Sequence, residues 1–84
     1  MSFFVYMILS NHNDKFISYV GYTNNLKARV IKHNSNKGAK STKGYKWLLI
    51  YSKKFKSKNE AMSFEYKLKK NKVERKKILD QYIK

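Results

Sequence analysis

Apolar positions along the chain fall into short blocks whose spacing changes from strand-like to helical. Phe3 to Leu9 crowds Phe, Val, Tyr and Ile into seven residues, and Ser10-Asn11-His12-Asn13-Asp14 closes the run, which predicts a strand ending in a turn. Phe16 to Tyr22 is a second such run, so the pair reads as an antiparallel hairpin. With Leu9 opposite Phe16, Tyr6 lies opposite Tyr19 on one face of the sheet. After Thr23-Asn24, an N-cap signal, the period lengthens: Leu26, Arg29, Val30 and His33 follow i, i+3, i+4, i+7 along one helix stripe. Asn34 to Tyr45 reads as an exposed basic loop, and Trp47 to Tyr51 as a third strand.

Two helices complete the chain. Ser57-Lys58-Asn59-Glu60 has the capping-box pattern, and the helix it opens carries Ala61, Phe64, Glu65 and Leu68 on one face. Asn71 with Glu74 three residues later opens the last helix, in which Ile78, Leu79, Tyr82 and Ile83 supply the buried side. The expected fold is α+β, a three-stranded, mainly antiparallel sheet flanked by helices in the order β-β-α-β-α-α. Residues 1–84 read as one domain ending in a basic helix over 72–84, since there is no repeat, no Pro and only 3 Gly.

Composition narrows the chemistry. Lys plus Arg number 20 against 5 Asp plus Glu, a formal charge of +15 that calls for a polyanionic partner, nucleic acid or an anionic membrane surface. The membrane alternative would use the basic tail, but a domain this small needs its apolar stripe for the core, so no membrane partner is expected. The absence of Cys excludes disulfides, thiolate zinc sites and cysteine nucleophiles, and with no leader pattern points to the cytoplasm. Of the acids, Asp14 belongs to the turn, Glu60 and Glu74 to helix starts and Asp80 to the tail; only Glu65 lacks a structural duty. It either edges the stripe and pairs with a Lys, or faces a cleft and holds a divalent cation that completes its shell with water and phosphate. Arg29 either snorkels from the core edge or offers its fork to a phosphate. His33, one turn from Arg29, is a packing histidine or a site residue, and Tyr6 and Tyr19 are packing or chemistry. Gly21, at a strand end, permits close backbone approach.

Taken in order, these positions resemble the GIY-YIG nuclease family. Phe4-Val5-Tyr6 stands for the first motif and Tyr19-Val20-Gly21 for the second. Then come Arg29, His33 and Asn34, the loop Gly38 to Thr42, and Glu65 within Glu60 to Lys70. The chain is similar to small stand-alone bacterial members, and through them to the nuclease domains of the bacterial excision repair endonuclease and of Slx-type endonucleases. The resemblance implies a DNA endonuclease dependent on Mg²⁺ or Mn²⁺, with a site on the sheet face. Tyr6 would contact or deprotonate the attacking water and Tyr19 would position it or the phosphate. Arg29 would neutralise the phosphate, His33 would hydrogen-bond to a tyrosine or the phosphate, and Glu65 would hold the metal. Lys27, Lys37, Lys40, Thr42, Lys43, Lys69 and Lys70 are the expected nucleic-acid contacts. Phe4-Val5 replaces the Gly-Ile of the family name, a change expected to touch packing. The alternative is a basic nucleic-acid-binding module that needs a partner protein to cut. With no separate DNA-reading domain in these 84 residues, branched or single-strand-containing DNA is the expected substrate, because phosphate contacts position a strand without reading its bases.

Overall fold

The computed structural model describes residues 2–83. Strand β1 (Phe3–His12) and strand β2 (Lys15–Thr23) form the expected hairpin, followed by helix α1 (Leu26–Asn34), a single 3-10 turn (Lys40–Thr42), strand β3 (Leu48–Phe55), helix α2 (Lys58–Lys70) and helix α3 (Lys72–Ile83). The sheet is antiparallel in the order β2-β1-β3, with β1 in the centre.

The hairpin is tighter than its polar residues suggest. The strands run on to His12 and Lys15, leaving Asn13 and Asp14 as a two-residue turn with φ of 52° and 64°. Positive φ at both central positions matches the right-handed twist of the strands, and Asn and Asp tolerate it better than other side chains do. This turn corrects the expected register: Tyr6 lies opposite Gly21, Tyr19 opposite Ile8, and Phe16 opposite Asn11. A shift of two residues preserves the face, so both tyrosines still project from the same side. On the other edge Met7 pairs with Tyr51 and Ile8 with Leu49, which leaves Ile50 as the extra residue of a bulge in β3.

Helices cover both faces of the sheet. Val5, Met7 and Val20 pack with Ala61, Leu68 and Ile78 from α2 and α3. On the opposite face Tyr6, Ile8 and Trp47 pack with Tyr19, Leu26 and Val30 beneath α1. Alternation along β1 feeds both layers, which is why Val5 to Ser10 are all buried.

The caps explain where the helices begin. Asn25 is the N-cap of α1, one residue later than expected, and its side chain accepts from the Ala28 amide at 3.1 Å. Thr23 supports it from outside, its hydroxyl accepting from the Asn25 amide at 3.1 Å. Ser57 caps α2 by accepting from the Glu60 amide at 3.2 Å, while its hydroxyl donates to the Glu60 carboxylate at 3.1 Å. Asn71 accepts from the Glu74 amide at 3.0 Å to open α3. The last helix departs from expectation at its end. Ile78 is buried and Leu79 half-buried, but Tyr82 is 46% and Ile83 51% exposed, because the helix runs past the edge of the sheet it packs on.

The stretch after α1 also differs from a simple exposed loop. Asn34 donates to the Trp47 carbonyl at 3.0 Å and accepts from the Trp47 amide at 2.5 Å, pairing with the backbone as a neighbouring strand would. Asn36, at φ 63°, accepts from the Gly44 amide, and the Trp47 indole donates to the Thr42 carbonyl at 2.9 Å. Lys37, Lys40 and Lys43 face solvent while Thr42 is completely buried. The loop is therefore basic outside and fastened inside.

Candidate active site

The site forms where β1 and β2 meet α1. Tyr6, on the central strand, sends its phenol across the edge strand over Gly21: a Cβ at that glycine would lie 2.5 Å from the Tyr6 hydroxyl. Only glycine leaves this passage open. One turn apart on α1, Arg29 and His33 both reach the same hydroxyl. The Arg29 Nε donates to it at 3.4 Å, and His33 Nε2 lies 2.7 Å from it. On its far side His33 Nδ1 lies 3.0 Å from the Thr42 hydroxyl, which donates to the Ala39 carbonyl at 2.7 Å. The Tyr19 ring sits 5.2 Å from the His33 ring, so both phenols flank one imidazole.

Glu65 approaches from α2. Its side chain is 18% exposed and pairs with Lys69, one turn on, at 3.7 Å. Lys69 in turn stands 5.8 Å from the Tyr19 ring centre. The Glu65 charge is felt at Tyr6, where it disfavours the phenolate. Two clefts open beside the cluster. One, of about 330 Å³, is lined by Phe3, Tyr22, Thr23, Asn24, Arg29 and Lys58. The other, of about 270 Å³, is lined by Ser18, Tyr19, Val20, Lys69 and Arg75. Arg29 thus faces one cleft and Tyr19 the other.

Electrostatics follow from burial. Tyr6 titrates above the usual tyrosine range, chiefly because its surroundings cannot solvate a phenolate; Arg29 pulls the other way without prevailing. His33 is pushed below the ordinary histidine range by burial and by the Arg29 charge, and is neutral near pH 7. Arg29 is held more firmly charged than usual by its bond to Tyr6.

Most of the residues singled out in the sequence converge here: Tyr6, Tyr19, Arg29, His33 and Glu65 are brought together, with Lys69 beside them. Two placements differ from expectation. Tyr6 has 0% exposure, with its hydroxyl spent on His33 and Arg29, so the half-buried Tyr19 is the phenol that meets solvent. Thr42, expected on the nucleic-acid surface, is wholly interior with its hydroxyl engaged on both sides, and has no atom to offer a phosphate. Lys27, Lys37, Lys40 and Lys43 are exposed on α1 and its following loop, and Lys70 stands 4.5 Å over the Tyr66 ring. Sequence reading missed the inward role of the loop backbone. Its signal was Gly38, where any side chain would collide with the His33 ring.

The comparisons with known proteins agree with this geometry. The model of the GIY-YIG catalytic domain matches residues 2–78. The chain belongs to the GIY-YIG family. It is 43% identical over 67 residues to a UPF0213 protein of Staphylococcus haemolyticus, covering 79% of this chain and 78% of that one. A UPF0213 protein of Bacillus velezensis is 42% identical over 83 residues, 98% of this chain and 78% of its own. The solution NMR structure of a UPF0213 protein from Bacillus halodurans superposes with a TM-score of 0.51 at 38% identity, covering 96% of this chain and 84% of that chain. This GIY-YIG domain has the nuclease-type fold of its family, and no helix among its described residues is long and apolar enough to cross a membrane.

GIY-YIG nucleases generally depend on a divalent metal, so the donor set needs a test. Among the described residues no three acids or histidines gather into a metal-holding group. Glu65 nonetheless offers a hard carboxylate oxygen, partly exposed and tied only by a loose ion pair that a divalent cation would outcompete. One carboxylate with water and substrate oxygens is a fitting shell for Mg²⁺ or Mn²⁺.

Proposed function

We propose that this chain is a metal-dependent endonuclease that hydrolyses DNA phosphodiester bonds, with a preference for branched or single-strand-containing DNA. The observation that carries the reading is the meeting of Arg29, Tyr19 and Glu65 from three different elements around the buried Tyr6–His33 pair. Phosphodiester cleavage builds negative charge on the non-bridging and leaving oxygens, and preplaced cations stabilise that charge where it develops.

In this scheme a DNA strand crosses the sheet edge from the cleft at Arg29 to the cleft at Tyr19. Arg29 offers its remaining N–H groups to the scissile phosphate, its Nε being held by the Tyr6 oxygen. Tyr19, the more exposed phenol, orients the attacking water. Tyr6 works from behind, joining Arg29 to His33 rather than touching substrate. Glu65 would hold the cation, which when bound supplies positive charge against the leaving oxygen. Lys69, displaced from Glu65, would pass to a phosphate, and Lys27, Lys37, Lys40, Lys43 and Lys70 would guide the backbone from the exposed faces.

The test is cleavage of a flapped duplex and of its fully paired counterpart with Mg²⁺, with Mn²⁺ and with chelator, binding being measured in parallel. Metal-dependent cutting that favours the flap is the expected result. Tight binding with no cutting in any metal would leave only the reading of a basic module that relies on a partner.

A further inference from the structure

The hydroxyl of Thr42 has one proton, and its best acceptor is the Ala39 carbonyl at 2.7 Å. Toward His33 the same oxygen can then only accept, so His33 Nδ1, at 3.0 Å, carries a proton. A neutral imidazole has one proton, which leaves Nε2 bare and able to accept from the Tyr6 hydroxyl at 2.7 Å. The opposite end of the chain gives the same answer independently. Arg29 Nε is a donor under all conditions, so the Tyr6 oxygen accepts from it at 3.4 Å and the phenol proton is free to point at His33. Every donor from Arg29 to Ala39 therefore points the same way, and no buried polar side-chain atom among the described residues lacks a partner.

We propose that Thr42 is a positioning residue for the nuclease site: by accepting from His33 Nδ1 it fixes the histidine tautomer, aims the Tyr6 proton inward, and thereby leaves the Tyr6 oxygen as the acceptor that holds Arg29. The proposal rests on the nuclease reading for its effect on rate, though not for the tautomer itself. Thr42 and His33 are both completely buried, so no water can replace the missing partner if the hydroxyl is removed. Without it His33 gains nothing from a proton on Nδ1 and moves that proton to Nε2, where it donates to Tyr6. Two donors, Arg29 Nε and His33 Nε2, then converge on one phenol whose own proton has nowhere to go but toward Arg29. The guanidinium loses its fixed position.

Thr42→Val keeps the shape and removes the hydroxyl, while Thr42→Ser restores it. Nitrogen-15 spectra of the imidazoles, with the second histidine removed as His12→Gln, read the tautomer directly in the metal-free protein. The wild type and Thr42→Ser are expected to show Nδ1–H, and Thr42→Val to show Nε2–H. Single-turnover cleavage by Thr42→Val is expected to fall about 10–100-fold, the usual cost of losing a buried orienting partner, with DNA affinity unchanged and Thr42→Ser near wild type. Nε2–H in the wild type, an unchanged tautomer in Thr42→Val, or a shifted tautomer with an unchanged rate would each overturn the proposal. If Thr42→Val does not fold, the comparison of Thr42→Ser with wild type decides, since a serine that loses the Nδ1–H signature contradicts the assignment. A wild type that shows Nδ1–H yet cuts nothing would sink the nuclease reading and leave the hydrogen-bond direction standing.

Discussion

Gly21 and Tyr6 show how much of the site depends on a missing atom. A methyl at Gly21 would fall 2.5 Å from the Tyr6 hydroxyl, with backbone on one side and the His33 ring behind, so neither group can retreat. Gly21→Ala is expected to destabilise the protein by about 1–3 kcal/mol through overpacking. It should also cost more activity than stability, because the phenol it displaces holds Arg29; thermal unfolding and cleavage measured on one preparation separate the two. His33 gives a second prediction at this scale. Its folded pKa lies below its unfolded value, so the unfolded chain binds the proton more readily. Stability from this residue is complete above about pH 6.5 and declines as pH falls toward the lowered folded value. Unfolding midpoints measured from pH 7.5 to 5 should drop, and His33→Gln should flatten that decline. The importance of Gly21 and Arg29 was legible from residue type and spacing. The inward turn of Thr42 was not, since a Thr among lysines looks like surface until the loop around it is folded.

At the scale of elements, local signals located the strands and helices well because each carries its own chemistry. The capping box at Ser57, the Asn71 cap and the alternation along β1 all act within a few residues, and each is found in the structure. Register was less legible. Polar residues on both sides of Asn13 suggested a long turn, whereas the positive φ of Asn13 and Asp14 closes the hairpin in two residues and moves Tyr6 from Tyr19 to Gly21. The connection from α1 to β3 was hidden for a related reason: its order comes from Asn34 bonding to Trp47, a contact across thirteen positions that no periodic pattern signals. Asn34→Ala removes both bonds from a half-enclosed backbone pair. It is expected to cost about 1–3 kcal/mol and to loosen the loop that carries Thr42, seen as faster amide exchange at Trp47 and across Gly38 to Gly44.

For the molecule as a whole, a charge of +15 on 84 residues settles what kind of partner it meets before any site is considered. If about 4–6 phosphates are neutralised, the logarithm of the DNA affinity should fall with the logarithm of salt at a slope near −4 to −5. A binding module and an enzyme would share that slope, so it measures the contact and not the chemistry. The chemistry turns on Glu65, the one carboxylate beside the paired phenols, against a background of lysines that would bind DNA without it. The deciding measurement is single-turnover cleavage of flapped DNA by wild type and Glu65→Ala at saturating protein in Mg²⁺ and in Mn²⁺. Loss of cutting with DNA affinity held within a few-fold is the predicted result. Equal cutting by the two proteins would mean that the acid has no part in the reaction, and would contradict the account at its centre.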